Sequence, residues 1–401
     1  MQIPPPFSLE KQLSNLGEEL EEAVLNVLKS GHYIGGKEIL KFENSFSEFI
    51  GTDYTLGCNS GTDALVLSLR ALGIGKGDEV ITSSFSFFAT AEAISNVGAV
   101  PVFVDINSDD FLMNLDLIET AITSSSKAII PVHLFGRSVD MQKLMNIANK
   151  YNLKVIEDCA QASGSEWNNK KVGSWGDVGC FSFFPTKNIG AAGDGGAVTT
   201  SNEEIAIKIR ELSMHGMPQR YLHNDFGYNS RLDAIQAAIL NVKLPHLNNW
   251  IEKRKSIAYN YNLKLTKNNH VLLPKMISNS CQSTFNQYVL RLEDNKRINN
   301  NVKDKFNIEF KDNPSFRNWV KYKLTLEGLN TIIYYPRPIN LQPAYDNFNC
   351  SKIPLPITEK ICQEVLSLPI FPEMNNEEQD YVITKFNDII DNNIIEYYKV
   401  A

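Results

Sequence analysis

The chain contains no Cys-x-x-Cys pair: its six cysteines, at positions 58, 159, 180, 281, 350 and 362, lie far apart. That spacing implies neither a zinc cluster nor a disulfide framework, and it suits a reducing compartment. The six histidines show no metal-ligand spacing, so no metal is expected at the site. No apolar run approaches the length of a membrane span. Nor does the chain open on a basic segment followed by an apolar one; "MQIPPPFSLEKQLSNLGEELEEAV" reads as a proline-rich lead into an acidic amphipathic helix. With a formal charge of −7 and no dense lysine/arginine run, the chain has no general attraction for nucleic acid or anionic membranes. What is there is an ordinary globular composition, 43% hydrophobic and 21% charged, spread over 401 residues. That length suggests two domains, and the whole reads as a cytoplasmic protein.

From about Phe42 to Ser201, short runs rich in Val, Ile and Phe alternate with helical patterns. "DEVITSS", "AVPVFVDI", "KAIIPVHLF", "LKVIEDCA", "VGCFSFF" and "GGAVTTS" predict strands, and "GTDALVLSLRALG" and "MQKLMNIANKYN" predict helices. Strands that are apolar almost throughout, separated by helices, imply an α/β class with a mainly parallel sheet covered on both faces. Such sheets bind ligands beyond the carboxyl ends of their strands. From Arg231 the pattern changes. "SRLDAIQAAILNVKL" places Leu232, Ile235, Ile239 and Val242 at helical spacing, Pro245 interrupts it, and "LNNWIEKRKSIAYNYNLKL" predicts a further helix. "TIIYYP" reads as a strand. The expectation is a large domain over residues 1–244, including the N-terminal helical segment, and a smaller α/β domain over 245–401.

In "CFSFFPTKNIGAAGDGG", Lys187 stands between an aromatic run and a glycine-rich turn. A strongly hydrated amine has no use for Phe181, Phe183 and Phe184 unless it must lose its proton; desolvation lowers its pKa and makes Lys187 a candidate nucleophile. In "LGCNSGTDALVLSL" a strand ends at Asn59 and a helix begins near Thr62. Gly61, the helix N-terminus and the Thr62 hydroxyl suit a phosphate; equally, Thr62 is a plain helix cap. "LKVIEDCAQASG" delivers Glu157 and Asp158 to a strand end, where an acid either pairs with a cationic ligand atom or caps a helix. Ser182 is a second hydroxyl for a phosphate, or an ordinary strand serine. Phe85, Phe87 and Phe88 in "SSFSFFATAEA" are core residues, or include one ring that stacks on a flat cofactor. A lysine, a phosphate seat and a strand-end acid in one sheet are the three parts of a pyridoxal 5′-phosphate (PLP) site. "GAAGDGG" precedes a strand, so it reads as a tight turn rather than a dinucleotide loop. Asp109–Asp110 read as a solvated loop pair.

Across nearly its whole length the chain resembles the DegT group of sugar aminotransferases, fold type I PLP enzymes of the aspartate aminotransferase superfamily. The resemblance is carried by "SGHYIGGKEILKFENSFSEFIG", "NSGTDAL", "GIGKGDEVITSSFSFFATA", "PVHLFG", "VIEDCAQASG", "FSFFPTKNIGAAGDGGAV", "GYNSRLDAIQAAIL", "YYPRPINLQPAY" and "VLSLPIFPE". It implies that Lys187 is the Schiff-base lysine and proton shuttle, Asp158 the partner of the pyridinium nitrogen and Gln161 the contact to the ring hydroxyl. By the same resemblance Gly61, Thr62 and Ser182 form the phosphate seat, Phe87 stacks on the ring, and Tyr335 touches substrate at the pocket mouth. Asn229 matches an asparagine that reaches the phosphate from the other subunit, which implies a homodimer. The implied reaction moves an amino group from glutamate to a nucleotide-linked keto-deoxysugar. Relatives that act on a keto-inositol or another cyclic ketone share these motifs, and a catalytically inactive regulatory protein of the same fold is the alternative from another class. The retained Lys187, Asp158 and Ser182 argue for catalysis. One position departs from the pattern: Asn340 stands where many relatives carry His.

Overall fold

The computed structural model describes residues 3–276, 280–293, 315–346 and 353–400; Cys350 lies outside them. The acidic N-terminal pattern forms helix α1 (Glu10–Ser30), followed by α2 (Lys37–Ile50). Leu16, Leu20 and Val27 of α1 are buried, and its apolar stripe packs on the helix Ala234–Lys243. One-sided burial of this kind stabilises a helix that its own hydrogen bonds would leave marginal.

Seven strands form the central sheet: β1 (Tyr54–Cys58), β2 (Glu79–Ser83), β3 (Val100–Val104), β4 (Ser126–Ile130), β5 (Lys154–Asp158), β8 (Val178–Ser182) and β9 (Gly196–Thr200), with the short β6 (Glu166–Trp167) and β7 (Lys170–Lys171) between β5 and β8. Their order is β1-β9-β8-β5-β4-β2-β3, and β9 alone runs antiparallel to its neighbours. The mainly parallel sheet read from the sequence is thus present. Every residue of β8 and β9 is buried, the consequence of layers on both faces. Helix α3 (Gly61–Ala71) follows β1, and α4 (Ala89–Asn96) follows β2.

The register sets up the site. Cys58 and Ser182 both pair with Gly196. The carboxyl ends of β1 and β8 therefore flank the start of β9 at one sheet edge. Asp158 pairs with Cys180, two residues short of Ser182, which brings the carboxyl end of β5 to the same edge.

Pro245 ends one helix as expected: a single 3₁₀ turn at Leu244–His246 separates Ala234–Lys243 from the long helix Leu247–Lys264. That long helix serves two cores. Leu247 and Ile251 join the core under Phe42, Phe46, Phe181 and Phe183, whereas Ile257, Ala258 and Tyr261 join a second core with Tyr288, Phe316, Leu366 and Phe386. The second core backs an antiparallel sheet of β10 (Val271–Leu272), β12 (Tyr288–Leu292) and β13 (Val365–Leu368). The remaining strand, β11 (Cys281–Gln282), pairs with β6.

Two local expectations fail. "TIIYYP" is not a strand: Ile332 makes a single bridge to Ser367, and the chain then leaves the sheet because Tyr335 turns to bond Gln161. Asp109 and Asp110 are not alike. Asp109 is exposed and pairs with Lys275, but Asp110 is half-buried in a turn, where it accepts the Leu112 N–H at 3.0 Å, and burial pushes its carboxyl up.

Candidate active site

The lysine segment leaves β8 through a tight turn. The Lys187 N–H donates to the Phe184 carbonyl at 2.9 Å, and the Ala191 N–H to the Phe183 carbonyl at 2.8 Å. A Cβ on Gly190 would lie 2.3 Å from the Pro185 carbonyl oxygen, so only glycine allows this closure. The turn is held from below by the helix Ala234–Lys243: Gln236 accepts the Ala192 N–H at 2.9 Å, and the Lys243 amine donates to the Gly190 carbonyl at 2.7 Å. Of the three phenylalanines beside the lysine, Phe181 and Phe183 are fully buried. Lys187 keeps part of its surface exposed, yet desolvation of its amine dominates and lowers its pKa to about 8, against the opposing charge of Asp158.

Asp158 ends β5, 5% exposed. Burial raises its pKa; the Thr90 hydroxyl, donating to Oδ2 at 2.8 Å, and the Ala160 N–H, donating to Oδ1 at 3.1 Å, oppose that rise, as does the charge of Lys187. The adjacent acid has a different fate. Glu157 Oε1 accepts the N–H groups of Trp175 and Gly176, and Oε2 accepts that of Gly173, each at 2.8 Å. His133 Nε2 lies 3.0 Å from Oε2, and Nδ1 accepts the Val139 N–H at 3.2 Å, which makes Nε2 the donor. The ligand atoms of His133, Glu157 and Cys159 fall within 4.8 Å of one another. With these oxygens and ring nitrogens already engaged, the group is an internal brace for the loop after β7.

Helix α3 begins one residue earlier than the sequence suggested. Its cap is Ser60, whose hydroxyl accepts the Asp63 N–H at 3.1 Å while its carbonyl accepts that of Ala64. Thr62 is therefore not the cap. The Gly61 and Thr62 N–H groups have no partner among the described residues and mark the positive end of the helix. Gly61 packs against Ser182 so closely that a Cβ there would lie 2.7 Å from the Ser182 Cβ. The result is a cradle with two N–H groups and the hydroxyls of Thr62 and Ser182.

Around this edge Gln161 is fixed at both ends: its carbonyl oxygen accepts the Phe135 N–H at 2.8 Å, and its amide nitrogen donates to the Tyr335 hydroxyl at 2.9 Å. The other amide hydrogen has no acceptor among the described residues. Burial raises the Tyr335 phenol well above its ordinary value and keeps it protonated. Phe85 is core, whereas Phe87 is 60% exposed, its ring 6.4 Å from that of Tyr335. Asn340 is tied to the same edge, its Oδ1 accepting from the Ser84 hydroxyl at 2.6 Å and its N–H donating back at 3.0 Å. Asn229 stands apart. It is exposed, its Oδ1 accepts from Arg231 at 2.5 Å, and no hydrogen bond among the described residues joins it to Thr62 or Ser182.

The model of the DegT/DnrJ/EryC1/StrS aminotransferase family matches residues 14–387. The chain belongs to this family. Its cofactor is PLP, and the cradle, the desolvated lysine and the buried acid fit that molecule's phosphate, aldehyde and ring nitrogen. The chain is 39% identical over 397 residues to a pleiotropic regulatory protein of Geobacillus stearothermophilus, covering 98% of each. It is 41% identical over 374 residues to the UDP-N-acetyl-3-dehydro-alpha-D-glucosamine 3-aminotransferase of Acidithiobacillus ferrooxidans, covering 93% of this chain and 94% of that one. The crystal structure of DesV from S. venezuelae in complex with a ketimine intermediate superposes with a TM-score of 0.89 at 35% identity, covering 98% of this chain and 99% of that one.

Proposed function

We propose that this aminotransferase carries an amino group from glutamate to the keto carbon of a nucleotide-linked deoxysugar, working as a homodimer in the cytoplasm. The observation that carries the reading is the convergence of Lys187, Asp158 and the Gly61–Ser182 cradle at one sheet edge. When bound, PLP supplies an aldehyde that condenses with amines and a ring that takes up the electrons of a breaking Cα–H bond. The chain supplies the rest. With its pKa near 8, Lys187 is ~10% free amine at pH 7, against well under 0.1% for an unperturbed lysine. The same amine then holds a proton and moves it between the donor's Cα and the cofactor's aldehyde carbon. Asp158 would accept the ring N–H, Gln161 would offer its second amide hydrogen to the ring hydroxyl, and the exposed face of Phe87 would lie against the ring. Tyr335, anchored on Gln161, borders the space where substrate enters.

Similarity to a 3-dehydro-sugar aminotransferase supports amination at the third carbon. The name of the Geobacillus relative supports the rival reading, a regulatory protein, but a binding module has no need of a desolvated lysine facing a buried acid. For the dimer, the support is the surface near Asn229: Tyr221 is 80% and Phe226 91% exposed, large apolar rings that a second copy would cover. We also place a domain boundary near Leu244, where the helix Leu247–Lys264 passes from one core to the other. Among the described residues no helix is long and apolar enough to cross a membrane.

The test is purified protein with PLP. A visible cofactor band that glutamate abolishes, and that a UDP- or dTDP-linked 3-ketosugar restores, is the expected result. Protein that stays colourless with excess PLP refutes it.

A further inference from the structure

Asp158 Oδ2 is served by a hydroxyl that no strand or turn of its own supplies. Thr90, on the first turn of α4, donates to it at 2.8 Å, and Ser86 lies 2.8 Å from the Thr90 hydroxyl. All three are buried, with Thr90 1%, Ser86 5% and Asp158 5% exposed. A helical threonine ordinarily returns its hydroxyl hydrogen to the carbonyl four residues back. Here that residue is Ser86, and the Thr90 hydrogen goes across to Asp158 instead. Because the hydrogen is spent on the carboxylate, the Ser86 hydroxyl must be the donor to Thr90. The relay therefore has one direction, Ser86 to Thr90 to Asp158, and that direction favours the ionised carboxylate. A proton on Oδ2 itself would compete with the Thr90 hydrogen.

Phe87 lies between the two hydroxyl residues, and the Thr90 N–H bonds the Phe87 carbonyl at 3.2 Å. One turn of chain thus sets both the ring that faces the cofactor and the acid at its ring nitrogen. Resting on the function proposed above, we infer that Thr90, oriented by Ser86, is a positioning residue that holds the Asp158 carboxylate ionised and in one plane for the PLP ring nitrogen. The other titratable groups acting on Asp158 are Lys187, His133, Cys159, Cys180 and Tyr335. None of them donates a hydrogen bond to either oxygen of the Asp158 carboxylate among the described residues.

The test uses Thr90→Val, nearly isosteric but without the hydroxyl, and Thr90→Ser as the conservative rescue. Binding of pyridoxamine 5′-phosphate, which needs no Schiff base, is measured by fluorescence titration, and the pH profile of turnover is taken alongside. Without the Thr90 donor the Asp158 carboxyl is freer to turn and more readily protonated, so the pyridoxamine phosphate affinity of Thr90→Val should fall, by up to the ten- to hundredfold that one hydrogen bond to a charged group can carry. The acidic limb of its profile should move up by about one pH unit or more, since a carboxyl that has lost the Thr90 donor takes up a proton at a higher pH. Glutamate KM should change little, and Thr90→Ser should bind within threefold of the wild type. Should Thr90→Val not fold, Ser86→Ala must show a smaller loss in the same direction. Affinity within threefold and an unmoved pH profile, in Thr90→Val or in Ser86→Ala where only that variant folds, overturns the inference while leaving the proposed function intact. Wild-type protein that binds neither cofactor form overturns both.

Discussion

Gly61 offers the sharpest test of the cradle. Its backbone is helical, so alanine brings no strain of its own. The conflict is one of space: the new Cβ would lie 2.7 Å from the Ser182 Cβ and 3.3 Å from its Cα and Oγ. Carbon atoms pack best near ~3.5–4.0 Å, so the start of α3 must retreat by about 1 Å. In stability the two effects partly offset, since overpacking costs about 1–3 kcal/mol and replacing a helical glycine returns up to about 1 kcal/mol. In cofactor binding nothing offsets the change. A retreat of about 1 Å takes an N–H···O bond of about 2.9 Å beyond useful range, and a bond to a charged acceptor contributes about 1.5–3 kcal/mol. Gly61→Ala should therefore bind PLP ten- to hundredfold more weakly, while the PLP-free protein still unfolds cooperatively at a denaturant midpoint at or below that of its parent. The comparison belongs in a Lys187→Ala background, where covalent attachment cannot mask the phosphate contribution. At a PLP concentration 1,000 times the parent's Kd the ligand stabilises the fold by about 4 kcal/mol, and a hundredfold weaker variant retains only about 1.4 kcal/mol. A Gly61→Ala protein with PLP affinity within threefold of its parent would show that the phosphate does not sit between α3 and Ser182.

Lys187→Met should stabilise the PLP-free protein at pH 7 by on the order of 3 kcal/mol, because the folded state lowers this amine from 10.5 to about 8. The sign is set by the unfolded chain, which binds the proton more readily: wild-type stability falls as pH drops from about 10.5 to about 8, so the advantage of Met should be full below pH 8 and absent above pH 10.5 in denaturant titrations. Glu157→Gln leaves a buried amide facing N–H groups that the carboxylate had accepted, and should cost about 3 kcal/mol or more by chemical unfolding; an unchanged midpoint would refute the bracing role. If Asn229 serves the partner's phosphate, inactive Lys187→Ala and Asn229→Ala chains should regain partial activity after subunit exchange, since one site of each mixed dimer is then whole. Exchange demonstrated by mass with no recovered activity would remove Asn229 from the partner's site.

The parts of this molecule legible in the sequence are those set by local pattern. All the strands of the central sheet but β1, which reads Tyr-Thr-Leu-Gly-Cys, announce themselves by runs rich in Val, Ile and Phe, and Pro245 by its missing N–H; both stand where expected. Lys187 was legible because its neighbours contradict its chemistry. What was not legible depends on local hydroxyl geometry or on residues distant in sequence. That Ser60 rather than Thr62 caps α3 turns on which hydroxyl faces the Asp63 N–H, and both types cap well. That Tyr335 leaves its strand-like run for Gln161 depends on a residue 174 positions away. Thr90 carried one faint signal, a Ser-x-x-x-Thr spacing across the turn that opens α4, but that spacing names no acceptor.

Glu157 and Asp158 show why the site needs the fold to be read at all. They are neighbours on one strand, both carboxylates, both nearly excluded from water. Alternation along β5 sends them to opposite faces of the sheet. On one face Glu157 meets a loop whose three N–H groups and one imidazole N–H take up its oxygens, so its charge is spent inside the protein. On the other face Asp158 receives one hydroxyl and one N–H, one on each oxygen. Each oxygen of an ionised carboxylate accepts about two bonds, so Asp158 keeps acceptor capacity that Glu157 does not. A buried carboxylate with an unfilled position is costly unless a cation completes it. Burial raises the Asp158 pKa, which is the signature of that cost, and the protonated ring nitrogen of PLP is the donor that would relieve it. The pair of acids thus divides into a structural one and a functional one by donor count alone.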